Sequence, residues 1–138
     1  MEHDVAPMLI IMFIAGLLTT MNIYTTNFND MRWSLNDVYM SMMMCGWMFL
    51  IWGSVYQMTK HTIIGLMLLT ISFYGIRTQF LITPNQYIKG MIPHHSMAIT
   101  MSQELLKNQQ VEPNIANLAN NIIMNQQNEI NLMKTLEK

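Results

Sequence analysis

The sequence predicts an all-α protein in which three transmembrane helices are followed by an antiparallel helical hairpin. Three observations predict it. Of 138 residues only 11% are charged and 51% are hydrophobic, where an ordinary soluble domain is about a quarter charged. The first half contains long charge-free apolar runs, and the second half contains two segments that open on proline and carry polar and apolar residues at helical spacing. The expected division is a transmembrane region at 1–82 and a hairpin domain at 83–138.

The first span is expected near 7–26, within a stretch from Val5 to Asn29 that has no formal charge. Its acidic opening, Met1-Glu2-His3-Asp4, differs from the basic start of a secretory signal, so the stretch is expected to be a retained anchor. The second span, near 38–58, is bracketed by Asp37 and Lys60 and meets the roughly 20 residues that a crossing helix needs. The third, near 62–82, is shorter in its apolar part. Arg77 can extend its stem toward the interface, and Phe80-Leu81-Ile82 follows at once. Trp33, Trp47, Trp52, Tyr24, Tyr56 and Tyr74 lie mostly toward the run ends, as interfacial aromatics do. Arg32, Arg77 and Lys89 on one side against Lys60 on the other tilt the hairpin toward the cytoplasm. A metal-scavenging role would place it outside, so orientation stays open. Met40, Met44 and Met48 form a stripe on the second span, read as adaptable packing in preference to a relay for a soft cation.

In the second half, Thr83-Pro84-Asn85-Gln86 has an N-cap hydroxyl, a Pro at the first helical position and a Gln three residues after the cap. A helix is expected from there to about Lys107, bent or restarted at Pro93, which lacks an amide hydrogen. After the short link Asn108 to Glu112, Pro113 opens a second helix reaching Leu136. So short a link makes the two helices antiparallel. Ile115, Leu118, Ala119, Ile122, Met133 and Leu136 share a face read as the buried stripe, with Gln126 and Glu129 on it. Counting back from the turn sets Glu129 beside Pro93 and His94.

The chemistry-bearing stretch is Met91-Ile92-Pro93-His94-His95-Ser96-Met97-Ala98-Ile99-Thr100-Met101. Imidazoles and thioethers together favour Cu(I) or Ag(I) over hard cations. Zinc lacks a His-Glu-x-x-His or a Cys pair, and a di-iron centre lacks Glu-x-x-His. On a straight helix His94 shares its face with Met97, Ala98 and Met101, while His95 points nearer Met91 and Ser102. Three arrangements stay open. The proline bend brings both rings to one ion, the rings serve separate sites, or one ring pairs only with Glu129. Other chemistries are excluded or unsupported. With net charge −1 and no run of Lys or Arg, there is no footprint for nucleic acid. The single cysteine, Cys45, forms no intramolecular disulfide. Ser96 has no acidic orienter or oxyanion motif beside it, so it reads as a helix-surface hydroxyl and no enzyme activity is expected.

Tyr87, Met91-Ile92-Pro93-His94-His95, Ala98 and Met101, then Gln126-x-x-Glu129-Ile130 and Met133, resemble the recurring core of the family called domain of unknown function 305. Tyr39-Met40, Met44 and Met48 resemble its membrane-anchored branch. The resemblance implies a ferritin-like fold, with the hairpin as half of a four-helix bundle, and copper or silver binding for tolerance or delivery. It makes Met91, His94, His95, Met97 and Met101 the candidate donors, with Glu129 as ligand or orienter and Met133 beside it. Pro84 stands where family members often carry an Asp, so that carboxylate is absent here. The expected protein is therefore a multi-pass membrane protein whose hairpin binds a soft ion, its partners being the bilayer, the metal and a second copy. The alternative is a structural or assembly protein whose hairpin mediates oligomerisation, since two hairpins complete a four-helix bundle.

Overall fold

The computed structural model describes residues 5–107 and 110–137. The acidic opening Met1–Asp4 and the Asn108–Gln109 part of the interhelical link lie outside the described residues. The described chain is all-helical: α1 (Val5–Leu18), two 3-10 turns (Met21–Tyr24 and Phe28–Asp30), α2 (Leu35–Val55), α3 (Thr59–Thr78), α4 (Pro84–Leu106) and α5 (Pro113–Leu136). Three stretches, Val5–Tyr24, Leu35–Val55 and Thr59–Thr78, are long and apolar enough to cross a membrane.

The chain divides into two compact units. One comprises residues up to Thr20 together with Leu35–Ile82, and the other Met21–Ser34 together with residues from Thr83 onward. The expected boundary at 82/83 assigned residues 21–34 to the transmembrane region, whereas in the structure this segment clusters with the hairpin.

In the first unit α1 stops at Leu18, short of the expected 26. There the Thr19 hydroxyl and amide turn back to the Ala15 and Gly16 carbonyls, which closes the last turn. Helix α2 begins at Leu35, before the expected 38, and takes Asp37 into its first turn, where the helix dipole favours a carboxylate. Helix α3 ends at Thr78 and not at 82. Gln79 adopts the left-handed conformation at φ 51°, and the Phe80 amide donates to Gly75 O, so Phe80, Leu81 and Ile82 leave the helix. The Tyr39 hydroxyl takes up the Phe80 carbonyl at 2.7 Å.

Helices α2 and α3 meet through small residues. A Cβ on Gly65 would fall 2.5 Å from the Leu50 amide nitrogen and 2.8 Å from Gly46 O, and one on Gly53 would fall 2.5 Å from the Thr62 amide nitrogen. Such close backbone approach is the packing that small residues permit between apolar helices. Met44, in the Met40/Met44/Met48 stripe, lies with its Cε at the surface of Gly16 in α1, so one member of the stripe serves as a packing residue.

In the second unit the Thr83 side chain accepts from the Gln86 amide and Pro84 occupies the first turn, the cap expected from the sequence. Helix α4 does not restart at Pro93; it is one element through it, with the proline buried. The core of the unit is Ile92, Ile99 and Ile130, flanked by Ile88, Ile123 and Met133. Burying three isoleucines at roughly 1.5–3 kcal/mol each outweighs the about 3 kcal/mol that an internal proline costs. The stripe of α5 is narrower than expected and shifted in phase. Ala119 and Ile130 are buried, Ile122, Gln126 and Met133 are half-buried, and Ile115, Leu118 and Leu136 are exposed. A helix with one partner covers only the strip facing that partner.

Candidate functional site

Seven residues were expected at the site, and the hairpin distributes them unevenly. His94 and His95 sit on consecutive positions of α4 with ring centroids 5.8 Å apart and edge-on. His94 is exposed, and so is Met101. Met91 and Met97 are half-buried on the same helix, and Met133 is half-buried on α5, where it packs against the isoleucine core.

Glu129 reaches α4, but its partner is His95 and not His94: Nδ1 of His95 lies 2.9 Å from Oε2 of Glu129. Glu129 is also more than half exposed, so the expected cost of burying its carboxylate does not arise. The contact is close enough for an ion pair yet is not aligned as a hydrogen bond. Burial of His95 dominates its titration and lowers its pKa from 6.5, against the upward pull of Glu129 and with the His94 ring adding to the depression. The ring is therefore neutral near pH 7, the form that ligates a metal.

The depressed pKa fixes the sign of a pH effect. The unfolded chain binds a proton on this ring at a higher pH than the folded chain does, so stability present above 6.5 is lost as pH falls through the folded pKa. The midpoint of thermal unfolding should drop on acidification from pH 7 more steeply for the native chain than for His95→Gln. Equal slopes would show that the ring does not titrate differently on folding.

Among the described residues no three His, Cys, Asp or Glu side chains gather in a group able to hold a metal ion. Along α4 the imidazoles and thioethers stand at separations of three (His94 to Met97) and four (Met91 to His95), which make side chains neighbours on a helix, while Met101, seven residues after His94, stands two turns away on the same face.

The sequence reading missed what holds the histidine pair in place. Ser96, expected on the surface, is wholly buried. Its hydroxyl donates to Oδ2 of Asp30 at 2.9 Å and accepts from the Thr26 amide at 2.8 Å, while the Thr26 hydroxyl donates to Ser96 O. Asp30 is itself buried and is paired with the Lys134 ammonium. Two residues on, Arg32 grips Glu137 with Nε at 2.7 Å from Oε1 and Nη2 at 2.9 Å from Oε2. That two-pronged pairing holds the Glu137 carboxyl below its ordinary range and raises the Arg32 guanidinium. One signal was present in the sequence. Asp30 and Arg32 carry charges opposite to Lys134 and Glu137, the latter two being three apart and hence on one face of α5.

The family described as a domain of unknown function, DUF305, matches residues 82–137, which is the hairpin. Over its length the chain is similar to uncharacterized protein L153 of Acanthamoeba polyphaga mimivirus, with 46% identity over 134 residues, covering 94% of this chain and 88% of that protein. No solved structure matches the chain.

Proposed function

The chain belongs to the DUF305 family, and on that footing we propose that it is a membrane-anchored binding protein whose hairpin captures a soft monovalent ion, Cu(I) or Ag(I), for tolerance or delivery. The observation that carries this reading is the His94–His95 pair, edge-on at 5.8 Å, with one ring exposed and the other neutral beside Glu129. Exposed His94 with half-buried Met97, three residues on, forms the first pair of donors, Met101 extends that face two turns from His94, and His95 with Met91 forms a second pair. Glu129 acts on His95 as an orienting carboxylate. Met133, engaged with the core, contributes through position and not as a ligand. The reading needs no catalysis. Anchoring falls to the three apolar stretches, whose length and composition support a multi-pass arrangement with lipid as the partner.

The test is a titration of the detergent-solubilised full chain with Cu(I) against a competing chelator, beside a variant carrying His94→Ala, His95→Ala and Met101→Ala. Stoichiometric binding is expected in the native chain and loss of at least about tenfold in affinity in the variant, the scale on which metal sites respond to altered ligation. Affinity should weaken as pH falls through the imidazole range, because a protonated ring cannot ligate. Equal binding by both chains would remove the hairpin from the proposal.

A second reading is favoured by one observation. Ile115, Leu118 and Leu136 are exposed on α5, and a second hairpin covering them would complete a four-helix bundle in the ferritin-like manner. Absent metal binding in both chains, with a stable dimer in detergent, would support this assembly role instead.

A further inference from the structure

We infer that the segment Met21–Ser34 lies in the headgroup layer of a bilayer, with Ile23, Tyr24, Phe28 and Trp33 as its lipid-facing anchors. The inference rests on the membrane reading above and adds to it a specific contact.

The segment is inverted in polarity. Asn22, Asp30 and Ser34 are buried, at 5%, 2% and 6% exposure, whereas Phe28 is 90%, Ile23 62%, Tyr24 55% and Trp33 50% exposed. Its polar groups are satisfied inward, within the hairpin unit. The Asn22 side chain donates to Arg32 O at 2.8 Å and accepts from the Arg32 amide at 2.9 Å, which closes the segment into a loop. Asp30 is held by Ser96 and Lys134, and Arg32 by Glu137. The outward set that remains pairs the large apolar and aromatic side chains of Ile23, Tyr24, Phe28 and Trp33 with the short polar ones of Thr26, Asn27 and Asn29, the mixture an interfacial segment carries. Facing water it gains nothing, whereas Trp and Tyr are at home where lipid meets water.

Continuity of the chain names the occupant. Met21–Tyr24 are the last residues of the first stretch of spanning length, Val5–Tyr24, so Ile23 and Tyr24 stand at its end, and Leu35, the start of α2, follows the segment directly. Both ends are thus joined to stretches of spanning length, and the Asn22 side chain bonded to the Arg32 backbone folds the fourteen residues back on themselves, well short of the roughly 23 Å that seven extended residues would reach. Amphipathic segments of this kind settle about 5–10 Å into the boundary between headgroups and acyl chains.

The experiment uses the full chain in lipid vesicles as three single-tryptophan proteins, retaining Trp33, Trp47 or Trp52 with the other two changed to Phe, each checked for native helicity. Lipids brominated near the glycerol end of the acyl chain are compared with lipids brominated near its methyl end. Trp33 should emit to the blue of free tryptophan and be quenched by the shallow bromines about twofold or more beyond the deep ones, as its interfacial depth requires. In the same chain Phe28→Asp should shift Trp33 emission to the red and reduce that quenching. If Trp47 and Trp52 are quenched by bromolipid while Trp33 is not, the chain spans but the loop does not touch lipid, and this inference falls alone. Trp33 shielded from aqueous acrylamide yet unquenched by bromolipid means a protein surface covers it, which also overturns the inference. If none of the three is quenched, the membrane reading falls with it.

Discussion

Replacing Asp30 with alanine is expected to destabilise the hairpin unit by about 2–4 kcal/mol. Breaking a buried ion pair by removing one partner costs roughly 3–5 kcal/mol, because the remaining charge is stranded. Here the Lys134 side chain is one-third exposed and regains some water, which lowers the figure. Against that, the Ser96 hydroxyl is wholly buried and loses its acceptor, and a buried donor without a partner adds about 1–3 kcal/mol. Asp30→Asn should cost less, since an amide oxygen still receives the Ser96 hydroxyl. Combining Asp30→Asn with Lys134→Met should recover part of the loss, as the stranded ammonium is removed with its partner. Thermal unfolding of the four chains, with proteolysis within 21–34 as a local readout, checks the order. An Asp30→Ala chain melting with the native one would mean that the buried pair does not hold the segment.

The second large effect is expected at the α2–α3 contact. Gly65→Ala sets a methyl against the Leu50 amide nitrogen at 2.5 Å and Gly46 O at 2.8 Å. Those are backbone atoms, so relief comes only by parting the two helices. Overpacking of this kind costs about 1–3 kcal/mol, and Gly65→Leu should exceed that range. Gly16→Ala provides the internal comparison. Its methyl would meet Met44 Cε at 2.9 Å, the end of a methionine that can turn aside, and Ser41 Cβ at 2.9 Å, which is fixed to its backbone, so the loss there should be smaller than at Gly65 without vanishing. Thermal midpoints in one detergent give the ranking. If Gly16→Ala proved as damaging as Gly65→Ala, backbone contact would not be what joins α2 to α3.

Element existence was legible because each helix carries a signal that survives without tertiary context. Charge-free runs mark α1, α2 and α3. The Thr83 cap with Pro84 marks the start of α4, and Pro113 marks the start of α5, whose range of Pro113–Leu136 matches the expectation. Ends were less legible, since Leu18 and Thr78 are set by local turns that hydropathy does not register: the return of Thr19 to Ala15 and the left-handed Gln79. The phase of α5 was misjudged for a different reason. Ile115 and Leu118 are as apolar as Ile123 and Ile130, and only the position of the partner helix decides which are covered.

For the candidate site, adjacency on one helix was readable, and so was the approach of Glu129 to α4. Which ring it meets was not, because neighbouring positions on a helix differ by 100° and the register of a hairpin with a variable link does not resolve one residue. Least legible was the support behind the histidines. Ser96 looks like a surface hydroxyl until Asp30 and Thr26 are brought from the far half of the chain.

That long reach bears on how the protein is made. Asp30 and Lys134 are 104 residues apart, and Arg32 and Glu137 are 105 apart. During synthesis the loop between the first two helices therefore emerges well before the residues that neutralise it. Asp30 and Arg32 must wait hydrated while α2, α3 and α4 are translated, and closing so distant a pair is among the slowest events available to a helical chain. The end of α5 is thus what locks the loop between α1 and α2.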